Sequence, residues 1–332
     1  MIKIINIYSE DIKWIKKVAV VAGLVIAGLV GSVLLFGNKG SENAVANKND
    51  IVSVKHTLGT TDIHKKPEKV VVFDYAALDA IETLGVDGVI GTAKGSSIPG
   101  YLSKYSGENY ANVGGLKEPD LEKINSLNPD LIIINGRQHS FYDKLNKIAP
   151  TISLAKEDGK YMQSFTHNME VIGEIFDKKK EVDTELVKIN EKIDAINKKV
   201  KEKNYSSTTL MASDGNLSVF GKDSRFGVIY NNLGFKNTDD NIENANHGQD
   251  VSFEYLASQN PDYMFVIDKS VISADKNQKP AKEILNNDLI NNMKVAKDNK
   301  IVYLDTYSWY LSDGGIMSTN TMLDEINKAI NK

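Results

Sequence analysis

Two segments of this chain share one pattern of residues at an offset of 132 positions. Residues 121–134 read LEKINSLNPDLIII, and residues 253–266 read FEYLASQNPDYMFV. Each copy predicts a short amphipathic helix, a turn at Asn-Pro-Asp and then a buried strand. Apolar strands that alternate with amphipathic helices are typical of parallel sheets covered on both faces. The repeat therefore predicts two similar α/β lobes.

A long helix is predicted between the two lobes. From Val182 to Val200 the apolar residues follow steps of three and four, which gives one apolar stripe. A coiled coil is the alternative interpretation, but the run is short for one. We therefore expect two Rossmann-like lobes with parallel sheets, bridged by this single long α-helix, with a second helix, Met162 to Phe176, before it. The other predicted strands are Lys69–Phe73, Gly88–Gly91, Thr208–Ala212 and Lys300–Leu304.

The N-terminal region predicts export. The run from Val18 to Phe36 contains no charged residue, and at 1.5 Å per residue it reaches about 28 Å, the thickness of a bilayer core. Four Lys residues precede the run and favour a cytoplasmic N-terminus for residues 1–17. We expect an uncleaved transmembrane anchor that holds the protein on the outer face of the cell membrane. The alternative is a signal helix cleaved near Ala44-Val45-Ala46, followed by secretion or release into a periplasm.

The rest of the chain divides into four predicted parts. Residues 37–50 are rich in Asn, Lys, Ser and Gly and predict a flexible linker. Residues 51–160 form the N-terminal lobe, residues 161–203 the helices with the interlobe helix, and residues 204–332 the C-terminal lobe. The first 50 residues hold six Lys and four acids, which leaves 34 basic and 40 acidic residues in the exported part. This mild acidity argues against a nucleic-acid partner, and any anion site must be formed locally.

Arginine is rare in this chain and points to a site. Of 40 basic residues only Arg137 and Arg225 are Arg. Arg137 follows the predicted strand at 131–134, and in open α/β sheets ligands bind at the carboxyl ends of the strands. The position that matches it in the repeat is Lys269. Arg225 lies in a loop bounded by Gly221 and Gly227. We expect these cations to face a shared cleft, although a solvated surface charge is the alternative for each one alone.

His247 and the aromatic residues near 303–310 form a second candidate cluster. His imidazole and Tyr oxygen are plausible ligands for ferric iron, and Trp309 and Tyr310 are candidate ligand contacts. For the His a surface role is the alternative, and for the aromatic residues a place in the core. No zinc motif, phosphate-binding loop or nucleophile elbow is present, so we expect neither an enzyme nor an intrinsic cofactor. The chain has no Cys, which excludes thiol chemistry and a lipid anchor on Cys.

Several short motifs together resemble those of one family. The chain resembles siderophore-binding proteins of ABC importers, of the class (class III) with two lobes joined by a long helix, over about residues 52–331. It is most similar to the subgroup that binds catecholate siderophores of the enterobactin and petrobactin kind. The motifs that carry the resemblance are KPEKVVVFD at 66–74, LDAIETLG at 78–85, NGRQ at 135–138, FYDKL at 141–145, SRFG at 224–227, HG at 247–248, NPDY at 260–263, VID at 266–268, YLD at 303–305 and WYL at 309–311.

This resemblance implies a function and a set of site residues. Arg137, Arg225 and Lys269 would form a cationic triad around a ferric catecholate, with Lys269 in place of the usual Arg. Ser140 stands where another basic residue is often found. The resemblance also implies that His247 and Tyr310 bind iron directly when a siderophore supplies only four donors. It further implies a monomer whose lobes dock on the ABC permease, which works with an ATPase, through Glu122 and Glu254.

Two other functions remain open at this point. The same fold could bind haem or cobalamin, although the three cations favour an anion over neutral cobalamin. In a different class, the chain could be a membrane-anchored extracellular enzyme or sensor. An enzyme would need a nucleophile–base pair that is not visible in the sequence, and residues 1–17 are too short for the output domain of a sensor.

Overall fold

The computed structural model describes residues 50–94, 98–275 and 277–332. The predicted membrane segment 18–36, the residues before it and the linker as far as residue 49 lie outside these ranges. Within the described ranges no helix has both the length and the apolar character needed to cross a bilayer.

The first sheet is entirely parallel, as predicted, and its strands run in the order β5-β4-β3-β6-β7. A separate antiparallel hairpin, β1–β2, precedes it in the chain. All residues of β3, β6 and β7 are buried, which explains the unbroken apolar pattern of β3 and β6. The strands are β1 Ile51–His56, β2 Gly59–His64, β3 Val70–Val72, β4 Val89–Thr92, β5 Ala111–Asn112, β6 Leu131–Ile134 and β7 Thr151–Ser153. The helices are α1 Tyr75–Thr83, α2 Leu121–Leu127 and α3 Tyr142–Leu145, with 3₁₀ turns at Gly100–Ser106 and Gly136–Phe141.

The second sheet is mixed, which corrects the prediction of a parallel sheet in both lobes. Strand β9 pairs antiparallel with both β8 and β11, while β10, β12 and β13 run parallel to their neighbours. The cause is the turn at Asp214-Gly215, where both residues have positive φ and the chain returns directly as a hairpin. The strands are β8 Ser206–Ser213, β9 Asn216–Phe220, β10 Lys236–Asn237, β11 Gln249–Val251, β12 Tyr263–Asp268 and β13 Ile301–Leu304.

The helices of the second half are mostly short. They are α6 Val228–Asn231, α7 Phe253–Gln259, α8 Ala281–Ile284, α9 Asp288–Asn291, α10 Lys294–Lys297 and α11 Ile316–Ile330, with a 3₁₀ turn at Lys269–Ile272 and a π-helix at Tyr307–Leu311. One hydrophobic cluster includes residues of both sheets, among them Val71 and Phe265. A smaller cluster, with Leu210 and Val266, covers the other face of the second sheet.

The sequence repeat corresponds to a repeated local structure. Helices α2 and α7 both end at an Asn in the left-handed conformation, Asn128 and Asn260. After each Pro an Asp side chain accepts hydrogen bonds from a neighbouring segment: Asp130 from the backbone N–H groups of residues 68 and 69, and Asp262 from Ser206. The Asn-Pro-Asp turn thus ends a helix and ties the beginning of the next strand to its neighbour in both sheets.

The predicted helix between the two sheets is present as α5, Lys179–Lys203. Its 25 residues reach about 37 Å, and every apolar residue from Val182 to Val200 that the stripe predicts is buried. The stripe packs against α4, Tyr161–Ile175, and against α11. Lys192 pairs with Asp324 of α11 at 2.7 Å, and the Asn197 side-chain amide donates to the carbonyl oxygen of Asn232. The stripe is therefore the buried face of one helix rather than a coiled-coil seam.

Asp79 connects the N-terminal helix α1 to the C-terminal helix α11. Its buried carboxylate accepts 2.8 Å hydrogen bonds from the backbone N–H groups of Met317 and Ser318, in the first turn of α11. The Tyr101 hydroxyl donates to it at 3.2 Å. A Cβ at Gly315 would lie 2.4 Å from this carboxylate, so only glycine fits there. Burial raises the pKa of Asp79, and the backbone and hydroxyl donors oppose that shift.

Candidate functional site

A cavity of about 530 Å³ opens at the carboxyl ends of β6 and β7 and is closed from the other side by loops of the second half. A smaller cavity of about 320 Å³ adjoins it and shares Lys117, Arg137, His247 and Tyr310 with it. Together they have a lining that is rich in cations. We call the two cavities together the cleft.

Arg137 is held in the cleft by a capped 3₁₀ turn. The turn follows β6 directly, as the rule for open α/β sheets predicted. The Asn135 side chain accepts from the Gly136 N–H at 2.6 Å, while the buried Gln138 side chain accepts from the Asn135 N–H at 2.9 Å. The amide of Gln138 also donates to the carbonyl oxygen of Leu116. These bonds fix the backbone on both sides of Arg137.

Tyr310 lies at the centre of the charged residues. It belongs to the π-helix Tyr307–Leu311, a distortion that is frequent at functional sites. The guanidinium carbon of Arg225 is 4.4 Å from the centre of its ring, that of Arg137 is 5.8 Å away, and the Lys269 ammonium is 6.0 Å away. Three cations from three separate loops thus surround one aromatic ring.

Arg225 makes the most contacts of these cations. Its Nη2 donates to the Tyr310 carbonyl oxygen at 2.9 Å and to Asp313 Oδ1 at 3.2 Å. Its Nε is buried and has no hydrogen-bond partner among the described residues. The loop that carries it is tight, because Ser224 Oγ donates to the Gly221 carbonyl at 2.6 Å and a Cβ at Gly227 would collide with the backbone. The protein therefore fixes the guanidinium but leaves part of its bonding capacity unused.

Lys269 and His247 reach the cleft from the second half. Lys269 begins the 3₁₀ turn that follows β12, the place equivalent to that of Arg137 after β6. The preceding Asp268 accepts from the N–H groups of Ser270 and Ala281 and so holds this turn. His247 is exposed, lies in a loop before Gly248, and lines both cavities with Tyr310. His247 and Tyr310, the two side chains predicted to bind iron, thus line the same cavities.

Trp309 does not line the cleft, which corrects its assignment as a ligand contact. Its side chain is fully buried, with 0% exposure, and its indole N–H donates to Glu325 Oε2 at 2.8 Å. In the π-helix, Trp309 faces the core while Tyr310 faces the cleft. Burial raises the pKa of Glu325, whereas the bonds from Trp309 and from the Asp305 N–H lower it. Trp309 therefore anchors the segment that presents Tyr310.

Sequence reasoning missed six charged residues of the cleft, namely Lys117, Glu118, Lys156, Glu157, Asp158 and Asp313. Lys156 follows β7, a strand of three residues that no apolar pattern in the sequence predicted. Its ammonium lies 3.2 Å from Asp313 Oδ2. Burial raises the pKa of the nearby Asp74, which the Lys156 charge opposes, and burial together with Asp313 raises the pKa of Tyr161. No pattern in the sequence marks Asp313, because its partners are more than 80 positions away.

Glu122 and Glu254 occupy equivalent exposed places outside the cleft. Each lies in the first turn of its helix, α2 or α7, after a capping side chain, Asp120 or Ser252. Hydrogen bonds from its own backbone N–H and from Ser252 lower the pKa of Glu254. Both side chains are therefore available on the surface as charged groups.

Comparison with known proteins identifies the family. A family model described as periplasmic binding protein matches residues 70–307. The chain belongs to this family. The petrobactin-binding protein YclQ of Bacillus subtilis is 41% identical over 297 residues, which cover 89% of this chain and 92% of that protein. The ferric-anguibactin-binding protein FatB of Vibrio anguillarum is 30% identical, with 83% and 87% covered.

Solved structures agree with this assignment. The crystal structure of YclQ has a TM-score of 0.80 and covers 85% of this chain and 99% of that one at 42% identity. The catecholate-siderophore binding protein VctP of Vibrio cholerae also has a TM-score of 0.80, at 33% identity, with 84% and 99% covered. These relatives are binding proteins, so this periplasmic binding protein is not an enzyme, as its sequence predicted.

Proposed function

We propose that this periplasmic binding protein captures a ferric catecholate siderophore in the cleft. It then delivers the complex, as a monomer, to the permease and ATPase of an ABC importer for iron uptake. The observation that carries the proposal is the arrangement of Arg137, Arg225 and Lys269 around the ring of Tyr310. The names of YclQ and VctP, which bind petrobactin and catecholate siderophores, support the same ligand class.

The chemistry of the ligand fits these side chains. A ferric tris- or bis-catecholate is an anion with aromatic rings. Arg can donate to catecholate oxygens and stack on ring faces, and each cation–π contact contributes about 0.5–2 kcal/mol depending on desolvation. A cavity of about 530 Å³ lies in the range of small-molecule sites. Neutral cobalamin would leave Arg137, Lys117 and Lys269, which line the cleft without a carboxylate partner among the described residues, without an anionic partner.

A titration panel tests the ligand class. Ferric enterobactin, ferric petrobactin, haem and cobalamin are each titrated into the purified chain, and quenching of its intrinsic fluorescence is followed. We expect saturable, tight quenching by the ferric catecholates only. Tighter binding of haem or cobalamin than of the ferric catecholates would contradict the proposal and would indicate a haem-binding or cobalamin-binding protein.

Tyr310 and His247 are proposed to complete the iron coordination when a siderophore supplies four donors. Tyr310→Phe removes the phenol oxygen and keeps the ring between the cations. We expect this change to weaken a tetradentate ferric bis-catecholate at least about tenfold, a loss of about 1.4 kcal/mol, and to leave a hexadentate tris-catecholate nearly unaffected. Quenching titrations of both ligands measure the difference.

Tyr303→Phe is the matched control, because Tyr303 is an exposed phenol on β13 that does not line the cleft. It should change neither affinity. Equal losses for the two ligands in Tyr310→Phe would exclude direct coordination of iron by the phenol oxygen.

Glu122 and Glu254 are proposed as the two contacts with the permease. The double change to Lys reverses both charges and should reduce siderophore-dependent iron uptake by cells at least about fivefold, because paired opposite charges become like charges. Ligand affinity of the purified protein should not change. The control is the same double change at Glu170 and Glu191, exposed residues of α4 and α5. Normal uptake by the Glu122/Glu254 double variant would refute this docking surface.

We also propose that residues 18–36 form an uncleaved anchor that keeps the protein on the outer face of the membrane. Two relatives, YhfQ and YfiY of Bacillus subtilis, are named as lipoproteins, whereas this chain has no Cys that could carry a lipid. The apolar helix would then take the place of the lipid and keep the binding protein near its permease.

A further inference from the structure

Asp313 is an acid inside a cleft that is otherwise suited to anions. Its side chain is only 8% exposed and lies between two cations, with Oδ1 3.2 Å from Arg225 Nη2 and Oδ2 3.2 Å from the Lys156 ammonium. Lys156 also donates to the backbone carbonyl of Asp313. The other acids of the lining, Glu118, Glu157 and Asp158, are exposed, and Glu157 pairs with Lys160.

This arrangement divides the cations of the cleft into two groups. Arg225 and Lys156 share the carboxylate of Asp313, so the three groups together carry one positive charge. Arg137, Lys117 and Lys269 line the same cleft and have no carboxylate within 4.0 Å among the described residues. Because Asp313 is nearly buried, water screens its charge less than it screens that of Glu157 or Asp158.

We propose that Asp313 sets the ligand charge that the cleft prefers. Its carboxylate offsets part of the positive potential of Arg225 and Lys156 and thereby limits the advantage that a trianionic ligand has over a monoanionic one. The role rests on the proposed function, since it concerns the choice among ferric siderophores. Asp313 also holds Arg225 against Tyr310. The effect of its charge can be told apart from this positioning, because removal of the charge changes the affinities of the two ligands by different factors.

The test compares two ligands and two variants of the full chain. A trianionic ferric tris-catecholate and a monoanionic ferric bis-catecholate are titrated at low and at moderate salt. Asp313→Asn keeps the shape and the oxygen acceptor but removes the charge. We expect it to raise the affinity ratio of the trianion over the monoanion by at least about fivefold at low salt, and less at moderate salt. Lys156→Gln removes a positive charge and should lower the same ratio.

Asp223→Asn is the control, since it removes an exposed carboxylate that lies two residues from Arg225 but does not line the cleft, and the ratio should stay within about twofold of the wild type. If the Asp313→Asn variant does not fold, Lys156→Gln alone tests the charge role. An affinity ratio of trianion over monoanion that does not decrease in Lys156→Gln contradicts that role. If the wild-type chain binds both ligands and neither variant changes the ratio, Asp313 does not set the preferred charge and the proposed function stands. If the wild-type chain binds neither ligand, both proposals fail.

Discussion

Replacing Arg225 by Ala should lower the affinity for ferric catecholates about 100-fold, a loss of about 2.7 kcal/mol. Arg225 makes the closest cation–π contact with Tyr310 and also donates to the Tyr310 carbonyl oxygen and to Asp313. Its removal takes away a ligand contact and leaves Asp313 with Lys156 alone, so the cleft loses positive charge where the anion binds. Removing one member of a buried charge pair typically costs 2–5 kcal/mol. Quenching titration measures the loss.

Lys222→Ala is the matched control for this prediction. Lys222 lies three residues before Arg225 in the same loop, but it points away from the cleft to an exposed pair with Asp240 at 3.5 Å. Its replacement removes the same formal charge from the same loop and should change the affinity by less than about threefold. Similar losses for the two variants would mean that only the net charge of the loop matters and that the placement of Arg225 against Tyr310 does not.

Replacing Asp79 by Ala should lower the free energy of unfolding by about 3 kcal/mol. The change leaves the N–H groups of Met317 and Ser318 without their acceptor at a buried helix terminus, and it removes the partner of the Tyr101 hydroxyl. It also opens a space beside Gly315, where the chain enters α11. Urea unfolding followed by circular dichroism measures the loss.

Asp120→Ala provides the comparison, because the Asp120 side chain also accepts a hydrogen bond from the first turn of a helix, but at an exposed position. Its side chain accepts from the Lys123 N–H at 2.9 Å and caps α2. Water can replace that bond, so we expect a loss of about 1 kcal/mol. If Asp79→Ala costs no more than Asp120→Ala, the bond between α1 and α11 does not contribute to stability beyond an ordinary cap.

Arg137 and Lys269 show how far the sequence could locate the site. Both residues were selected because they follow buried strands at equivalent places of the repeat, and both lie against Tyr310 in the structure. The rule for open sheets gives this result because the carboxyl ends of parallel strands meet at one edge. Lys156 was missed because β7, with the sequence Thr-Ile-Ser, has no apolar run that would have predicted a strand before it.

Trp309 and Tyr310 show where sequence reasoning reached its limit. Two adjacent aromatic residues were assigned to the ligand, yet one is fully buried against Glu325 and the other lines the cleft. A regular helix or strand has a period that predicts which of its residues face the core. The π-helix at 307–311 has no such signature in the sequence, because its form depends on the contacts that surround it.

The sequence by itself determined the repeated α/β units, the long helix and the positions of the three cations, because periodic apolar patterns and turn residues act within about ten positions of one another. Only the tertiary structure decided the antiparallel pairing of β11 with β9, the burial of Trp309 and the pairing of Asp313 with Lys156 and Arg225. These features join side chains and strands through packing and charge. Such interactions depend on distances in space, and one sequence does not contain those distances.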